Sequence, residues 1–478
     1  MAKERLALLA DFYEFTMMNG YFKSGKKDVI CYYDVFFRNI PDRGGFALFC
    51  GLESIIKYIQ ELKFTSEEID YLRKTEKFSE EFLDYLKAFR FTGDIYSVAE
   101  GTPIFPNEPI MTIRAKALEA QLIETFILLS VNHQSLICTK ANRIFRSADN
   151  RAVTEFGARR AHGPSAAVLG ARAAYIGGFH ATSNTSAAML YNIPLSGTMA
   201  HSWIQMFNCE IEAFSEYLRV YPDNAILLID TYNTLKSGVV NAVKAFNSIL
   251  KPLGKRPFAV RIDSGDITYL SKKVRHYLDT HGYKDCKIIA TNSLDEYTID
   301  SLIRQGAEID VFGVGEKLIT AKSDSVFGGV YKLVAVEEKD AIIPKIKISE
   351  NVEKITTPHF KKLYRLFSKE DGKPLADLLC TYDETIDDSK PLEIFDPIST
   401  WKRQTLTNFY AKELLMPIFK KGKLVYQSPT IDHIREMTIQ NVESLWDEMK
   451  RFDQPHRYYV DLSQRLWDVK NNLLNKAK

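Results

Sequence analysis

AILLIDTYNTLKSGVVNAVKAFNSILKPLGKRPFAVRIDSGDITYLSKKVRHYLDTHGYKDCKIIATNSLDEYTIDSLIRQGAEIDVFGVG, residues 225–315, decides the fold. Four short apolar runs punctuate it: AILLID (225–230), FAVRI (258–262), KIIAT (287–291) and DVFGVG (310–315). Longer segments of helical period separate them, such as TLKSGVVNAVKAFNSIL and DITYLSKKVRHYLDTHG. Strand, helix, strand in that order is the βαβ unit, whose strands run parallel. Upstream, AVTEFG (152–157), GGFHAT (177–182) and PLSGTM (194–199) repeat the theme, giving seven candidate units in all. Seven are enough for an irregular (β/α) barrel; an open doubly wound sheet is the structural alternative.

Outside this block the periodicity changes. VICYYDVFFR (29–38) is β-branched and aromatic, a strand signal, and SEEIDYLRKT and SEEFLDYLKAF open as helices do, with Ser followed by acids. EGTPIFPNEPIMTIRA (100–115) carries three prolines and leads through turns into a strand. Beyond 325, GGVYKLVAVEE, PKIKIS, KKLYRLFS and KKGKLVYQ predict antiparallel strands, and VESLWDEMKRF onward predicts helix. A chain of 478 residues exceeds the ~250–300 at which single cores stop growing. The expected architecture is therefore α/β: an irregular (β/α) barrel over 121–325, with a second α+β domain built from both chain termini, 1–120 and 326–478.

Apolar residues make up 45% and charged residues 26%, the composition of a globular protein, and the net charge of +2 gives no general grip on nucleic acid. The six cysteines, at 31, 50, 138, 209, 286 and 380, form no C-x-x-C pair, so no zinc cage is expected. The opening MAKERLALLADFYEF lacks a signal-peptide core, and no apolar run reaches the ~18 residues of a membrane span. AQLIETFILLSVNHQSLI, with Glu124 and His133, reads as a buried helix. A cytoplasmic protein, free of membrane and nucleic acid, is expected.

The residues just beyond each apolar run carry the chemistry. Arg159 and Arg160 come after TEFG, Ser183 and Asn184 after FHAT, and His201 after SGTMA. Asp230 ends ILLID, Asp263 to Asp266 come after FAVRI, Asn292 after IIAT, and Glu316 after VFGVG. In a parallel barrel these positions converge on the C-terminal rim, where such folds place their active sites. The plainer reading of Ser183, Asp266 or Ser293 taken singly is a helix cap. Two arginines, a histidine and two aspartates on one rim point past capping, to an anionic substrate held by guanidinium forks. Gly313 and Gly315 in FGVGEK precede a helix, which suits phosphate, although the third glycine of a dinucleotide fingerprint is missing. HSWIQMFNCEIEAFSEYLRV predicts one amphipathic helix with Ile204, Phe207, Ile211, Phe214 and Leu218 on its stripe and His201 at its start, where a neutral, nucleophilic imidazole is favoured. ILLIDTYNT has one acid where the common phosphoribosyltransferases carry two, so the chain is not of that type.

Seven motifs in order, LLADFYEFTMMNGYF (8–22), FRNIPDRGGFALFCGLE (37–53), TEFGARRAHG (154–163), GGFHATSN (177–184), GTMAHSW (197–203), LLIDTYNTLKSG (227–238) and RIDSGD (261–266), resemble the nicotinate phosphoribosyltransferase family. The resemblance implies an ATP-coupled enzyme of NAD salvage. It would join nicotinate to 5-phosphoribosyl 1-diphosphate, giving nicotinate mononucleotide and diphosphate, with ATP hydrolysed through a phosphohistidine at His201. It implies a type II phosphoribosyltransferase fold and a homodimer. In that frame Phe156 and the partner chain's copy of Tyr13 sandwich the pyridine ring. Arg261 reaches the base or sugar phosphate, Asp263 faces the ribose, Arg159 lies on the phosphate side, Gly313 and Gly315 take the 5′-phosphate, and Asn292 belongs to the substrate-binding set. Mg2+ is held mainly by the diphosphate, and no metal-binding side chain is expected. Asn233, where Asp is expected, and His180, where many relatives carry an acid, depart from the pattern. Nicotinamide phosphoribosyltransferase is the near alternative, with Ser183, where that family places an acid, favouring the carboxylate substrate. A non-catalytic nucleotide-binding homologue is the other.

Overall fold

A computed structural model describes residues 6–476. The chain divides into two compact units: residues up to Leu136 together with Val326 onward, and Ile137–Ser325. The first boundary falls inside the helix Glu124–Ser147, later than the expected 120/121; the second falls where the alternation of strand and helix stops.

The Ile137–Ser325 unit is built on six parallel strands: β1 (Ala152–Glu155), β2 (Ala181–Thr182), β3 (Ile226–Leu228), β4 (Ala259–Ile262), β5 (Lys287–Ala290) and β6 (Val311–Val314). Their order is β2-β1-β6-β5-β4-β3. The remaining expected run, PLSGTM, forms no regular strand and instead spans the two edges. Thr182 N donates to Pro194 O and Ser196 N to Thr182 O, both at 3.0 Å, while Thr198 Oγ1 donates to Ile226 O at 3.0 Å. The segment is thus tied to one edge of the curled sheet by backbone and to the other by the Thr198 hydroxyl, which makes it an irregular barrel rather than an open sheet.

Asn184, Asn233, Asp266 and Asp295 cap the turns or helices after β2, β3, β4 and β5, each accepting from a backbone N–H three residues on. Asp266 caps as expected; Asn184 and Asp295 do so in place of Ser183 and Ser293, which leaves both serines exposed. Asn233, a departure from the family pattern, serves as a cap here. His180, the other departure, accepts from Val153 N through Nδ1 at 3.2 Å, at the N-terminal side of β2.

The helix expected over 201–220 is broken. His201–Gln205 forms one short piece and Glu210–Val220 the next, with Trp203 Nε1 donating to Ala213 O across the break at 3.1 Å. Ile204, Phe214 and Leu218 are buried as the stripe predicts, but Ala213 takes the place expected for Ile211. A five-residue piece gives His201 little of the helix-terminus field anticipated from sequence.

The other unit joins both chain ends in one seven-stranded sheet. Ile30–Phe36 lies between Met111–Lys116 and Val330–Glu338, antiparallel to both. A second sheet runs Phe409–Glu413, Lys361–Ser368, Pro374–Thr381 and Val460–Leu462. Two ion pairs are buried here: Lys361 Nζ to Asp34 Oδ2 and Arg365 Nη2 to Asp377 Oδ2, each at 2.7 Å. Near the C-terminus the sequence expectations hold less well. The strand near PKIKIS is Ala341–Pro344, and KKGKLVYQ holds the end of Met416–Lys420 and the two-residue strand Lys423–Leu424. The stretch from VESLWDEMKRF onward holds the end of helix Ile431–Glu443, a 3-10 turn at Asp447–Lys450 and, as expected, a final helix, Gln464–Lys476. Polar, exposed turns there leave the apolar pattern too short to fix an element.

Candidate active site

The ends of β3, β4 and β5 carry one connected polar cluster. Arg261, in β4, uses its guanidinium to fix neighbours: Nη2 donates to Asp263 Oδ1 at 2.8 Å, Nε to Thr291 Oγ1 at 3.0 Å and Nη1 to Met199 O at 3.4 Å. The Thr291 hydroxyl donates to the same Asp263 Oδ1. Burial raises the Asp263 carboxyl, but the hydrogen bonds from Thr291 and Arg261 and the Arg261 charge outweigh it and hold the group below the ordinary carboxylate range. With Oδ1 doubly engaged, Oδ2 faces His201 Nε2 at 3.8 Å. The other ring nitrogen, Nδ1, stands 3.1 Å from Thr231 Oγ1. The His201 side chain remains 41% exposed, so the ring is reachable by a ligand.

Asp230, buried at the end of β3, ties this cluster to its floor. Its Oδ2 accepts from Asp263 N at 3.1 Å and Ser264 Oγ at 2.6 Å, while Oδ1 is buried without a hydrogen-bond partner among the described residues. Gly238 lets the chain return over that strand end, since a Cβ there would lie 1.8 Å from Ile229 O.

On the β1 side, buried Glu155 pins two strand ends. Gly157 N donates to one carboxylate oxygen, Thr182 Oγ1 to the other at 2.6 Å, and Ser183 N reaches Glu155 O at 2.9 Å. Burial pushes the Glu155 carboxyl up despite these bonds. Next along the chain is Phe156, half-buried and bonded through its N–H to Val314 O. Its ring covers Gly313, where an added Cβ would lie 2.7 Å from two ring carbons and 2.6 Å from the Thr291 methyl. Gly313 thus lies within β6 beneath an aromatic ring, and Gly315 stands beyond the strand at the start of the short helix Glu316–Ile319.

The structure brings His201, Asp263 and Arg261 into one cluster, and Phe156 against Gly313. Arg159 is exposed in the turn after Phe156, with no ion-pair partner among the described residues, whereas Arg160 pairs with Glu316 at 3.7 Å. Ser183 is exposed at the end of β2. Asn292 comes just after β5 with φ +83°, in the left-handed region that few side chains adopt, and Ser293 has φ +49°. Tyr13 belongs to the other unit, on the helix Phe12–Lys23; burial and the charge of the nearby Glu124 raise its phenol. Leu9, Phe12, Tyr13 and Met17 are all exposed there. Sequence reasoning missed Thr231 and Thr291. Their one signal is place: each stands at the end of an apolar run, directly after or before a group already singled out.

Residues 8–132 match the nicotinate phosphoribosyltransferase (NAPRTase) N-terminal domain, residues 151–370 the nicotinate phosphoribosyltransferase (NAPRTase) family and residues 360–470 the nicotinate phosphoribosyltransferase C-terminal domain. A nicotinate phosphoribosyltransferase of Bacillus subtilis is 45% identical over 99% of this chain and 96% of its own. One of Caenorhabditis elegans is 35% identical over 98% and 93%. The crystal structure of human nicotinic acid phosphoribosyltransferase is similar with a TM-score of 0.85, at 26% identity, over 98% of this chain and all of its own. A nicotinate-nucleotide pyrophosphorylase from Pyrococcus furiosus shares the fold, with a TM-score of 0.71 at 23% identity over 93% of this chain and 97% of its own.

Proposed function

The chain belongs to the nicotinate phosphoribosyltransferase family, and from that membership we propose that it joins nicotinate to 5-phosphoribosyl 1-diphosphate, releasing diphosphate and nicotinate mononucleotide for NAD salvage, with ATP hydrolysed through a phosphohistidine at His201. The observation that carries the reading is the position of His201 on the barrel rim, exposed, between a fixed carboxylate and a threonine hydroxyl.

Each neighbour has a task in that reaction. Asp263, fixed by Arg261 and Thr291, presents one ordered carboxylate oxygen to the ribose side. Phe156 offers an aromatic face to the pyridine ring, and the exposed Arg159 is available to an anionic group. The exposed Ser183 puts a hydroxyl rather than a carboxylate beside the incoming nicotinate, which avoids like-charge repulsion. Mg2+ carried by the diphosphate would offset the charge that gathers during transfer. The buried Asp230 Oδ1 and the open Asp263 Oδ2 are acceptors suited to a cation.

The enzyme works as a homodimer in which the partner's Tyr13 completes the pyridine site, a reading supported by the exposed apolar group Leu9, Phe12, Tyr13 and Met17. We place it in the cytoplasm: all six cysteines are free, and among the described residues no helix is long and apolar enough to cross a membrane. The test is incubation with nicotinate, 5-phosphoribosyl 1-diphosphate, ATP and Mg2+, with nicotinamide in parallel. Mononucleotide formed from nicotinate and accompanied by ADP is expected. Turnover of nicotinamide alone, or of neither base, refutes the proposal.

A further inference from the structure

Resting on the phosphohistidine reading, we propose that Thr231 is a working residue of the site: its hydroxyl marks His201 Nδ1 as the nitrogen that takes the phosphoryl group, and then donates a hydrogen bond to that group. The argument starts from the two sides of the ring. A neutral imidazole carries one proton, and its neighbours decide which nitrogen keeps it. Nε2 faces Asp263 Oδ2 at 3.8 Å, and a carboxylate favours the N–H on the nitrogen turned toward it. Asp263 has no freedom to turn away, because Arg261 and Thr291 both hold Oδ1. The lone pair therefore sits on Nδ1, and the group within hydrogen-bond reach of it is the Thr231 hydroxyl, at 3.1 Å.

Thr231 is placed firmly enough for the task. It comes directly after Asp230, and Asp230 is bound to Asp263 N and Ser264 Oγ. Gly238 packs the returning chain against Ile229 O, so the segment that carries Thr231 is held from both ends. The β-branched side chain also restricts χ1.

In the step itself the Nδ1 lone pair attacks the γ-phosphorus of ATP. The N–P bond forms, the bond from phosphorus to the bridging oxygen breaks, and ADP leaves with that electron pair. The ring keeps its Nε2 proton and becomes a cation facing Asp263. The Thr231 hydroxyl, released from the lone pair now in use, donates to a phosphoryl oxygen. Water later attacks phosphorus, Nδ1 recovers its electron pair, and phosphate departs with the proton released to solvent.

Labelling with γ-32P ATP in wild type, Thr231→Val, Thr231→Ser and His201→Asn tests this, together with 31P NMR of enzyme carrying 15N-labelled histidine. Thr231→Val keeps the shape and removes the hydroxyl; it should label roughly 10- to 100-fold more slowly, the loss expected for one hydrogen bond to a charged group. Thr231→Ser should recover most of that rate, and the KM for nicotinate should change by less than about twofold in both. Phosphorus should couple to Nδ1. Wild-type labelling of Thr231→Val, or coupling to Nε2, overturns the proposal. Should the valine variant fold poorly, the serine variant and the nitrogen assignment in wild type still decide. Absence of label on wild type, or equal label on His201→Asn, instead refutes the phosphohistidine and this proposal with it.

Discussion

One methyl group at Gly313 should damage both halves of the rim at once. Its backbone lies outside the left-handed region, so alanine meets no conformational penalty there and the effect is one of space. The added Cβ would lie 2.6 Å from the Thr291 methyl and 2.7 Å from Cδ2 and Cε2 of Phe156, where ordinary contacts begin near 3.4 Å. One or both neighbours must therefore retreat by several tenths of an ångström or more. Over-packing of this kind costs about 1–3 kcal/mol of stability. The expected catalytic cost is larger, because Thr291 supports Asp263 and Phe156 is the face proposed above for the base. A displacement approaching ~1 Å at such positions lowers rate by roughly 100-fold. Gly313→Ala should thus lower kcat/KM for nicotinate by about two orders of magnitude, with a denaturation midpoint shift corresponding to ~1–3 kcal/mol. Adding Phe156→Leu, which relieves the ring contact but not the one with Thr291, should recover part of the lost stability but not turnover, a coupling a double-mutant cycle reads directly. Wild-type stability and kinetics in Gly313→Ala would show that the strand end has slack and that the packing argument fails.

Glu14 is buried, and burial pushes its carboxyl up to about 8 from about 4.5. The folded state holds that proton more tightly than the unfolded chain, so its stabilisation is complete below about pH 4.5 and lost as pH rises toward 8, by ~1.4 kcal/mol per unit. Glu14→Gln should flatten that loss, seen as a smaller melting-temperature drop between about pH 5 and 9; an unchanged difference from wild type argues against a raised pKa. Arg365→Met strands the buried Asp377 beside Glu108 and should cost about 3–5 kcal/mol in chemical denaturation, unless the pair contributes nothing. Ser183→Asp should lower the nicotinate rate relative to nicotinamide, and an unchanged ratio of the two removes Ser183 from base selection. Mixing inactive Tyr13→Ala and His201→Ala chains should restore partial activity in mixed dimers; none, with subunit exchange verified, counts against a shared site.

The barrel was legible because its strands are buried on both faces and read as unbroken apolar runs, each followed by its chemistry. AILLID and KIIAT need nothing beyond composition and spacing to be read this way. The break at 206–209 was not legible. Phe207 prolongs the apolar stripe, and what stops the helix is tertiary: Trp203 donating to Ala213 O, so that the two pieces fold against each other. Thr231 and Thr291 were invisible for a different reason. A threonine at a strand end fits β-propensity or turn preference equally well, and its role appears only once Asp263 and His201 lie beside it. The motif FGVG announces glycine where backbone and phosphate could approach, but sequence cannot say which face is open. At Gly313 that face is filled by Phe156.

The seam of the barrel has a mechanical meaning. Neighbouring strands β4, β5 and β6 are laced by their backbones, so Arg261, Asp263 and Thr291 ride on the stiff arc of the ring. His201 hangs from the joint, where the chain from Pro194 to Ala200 is held to the far edge by the Thr198 hydroxyl and to β4 by Arg261 at Met199 O. A ring under load yields at its weakest joint. The distance from His201 to Asp263 spans that joint, so the residue proposed above to accept and release a phosphoryl group sits on the least tightly laced part of the ring.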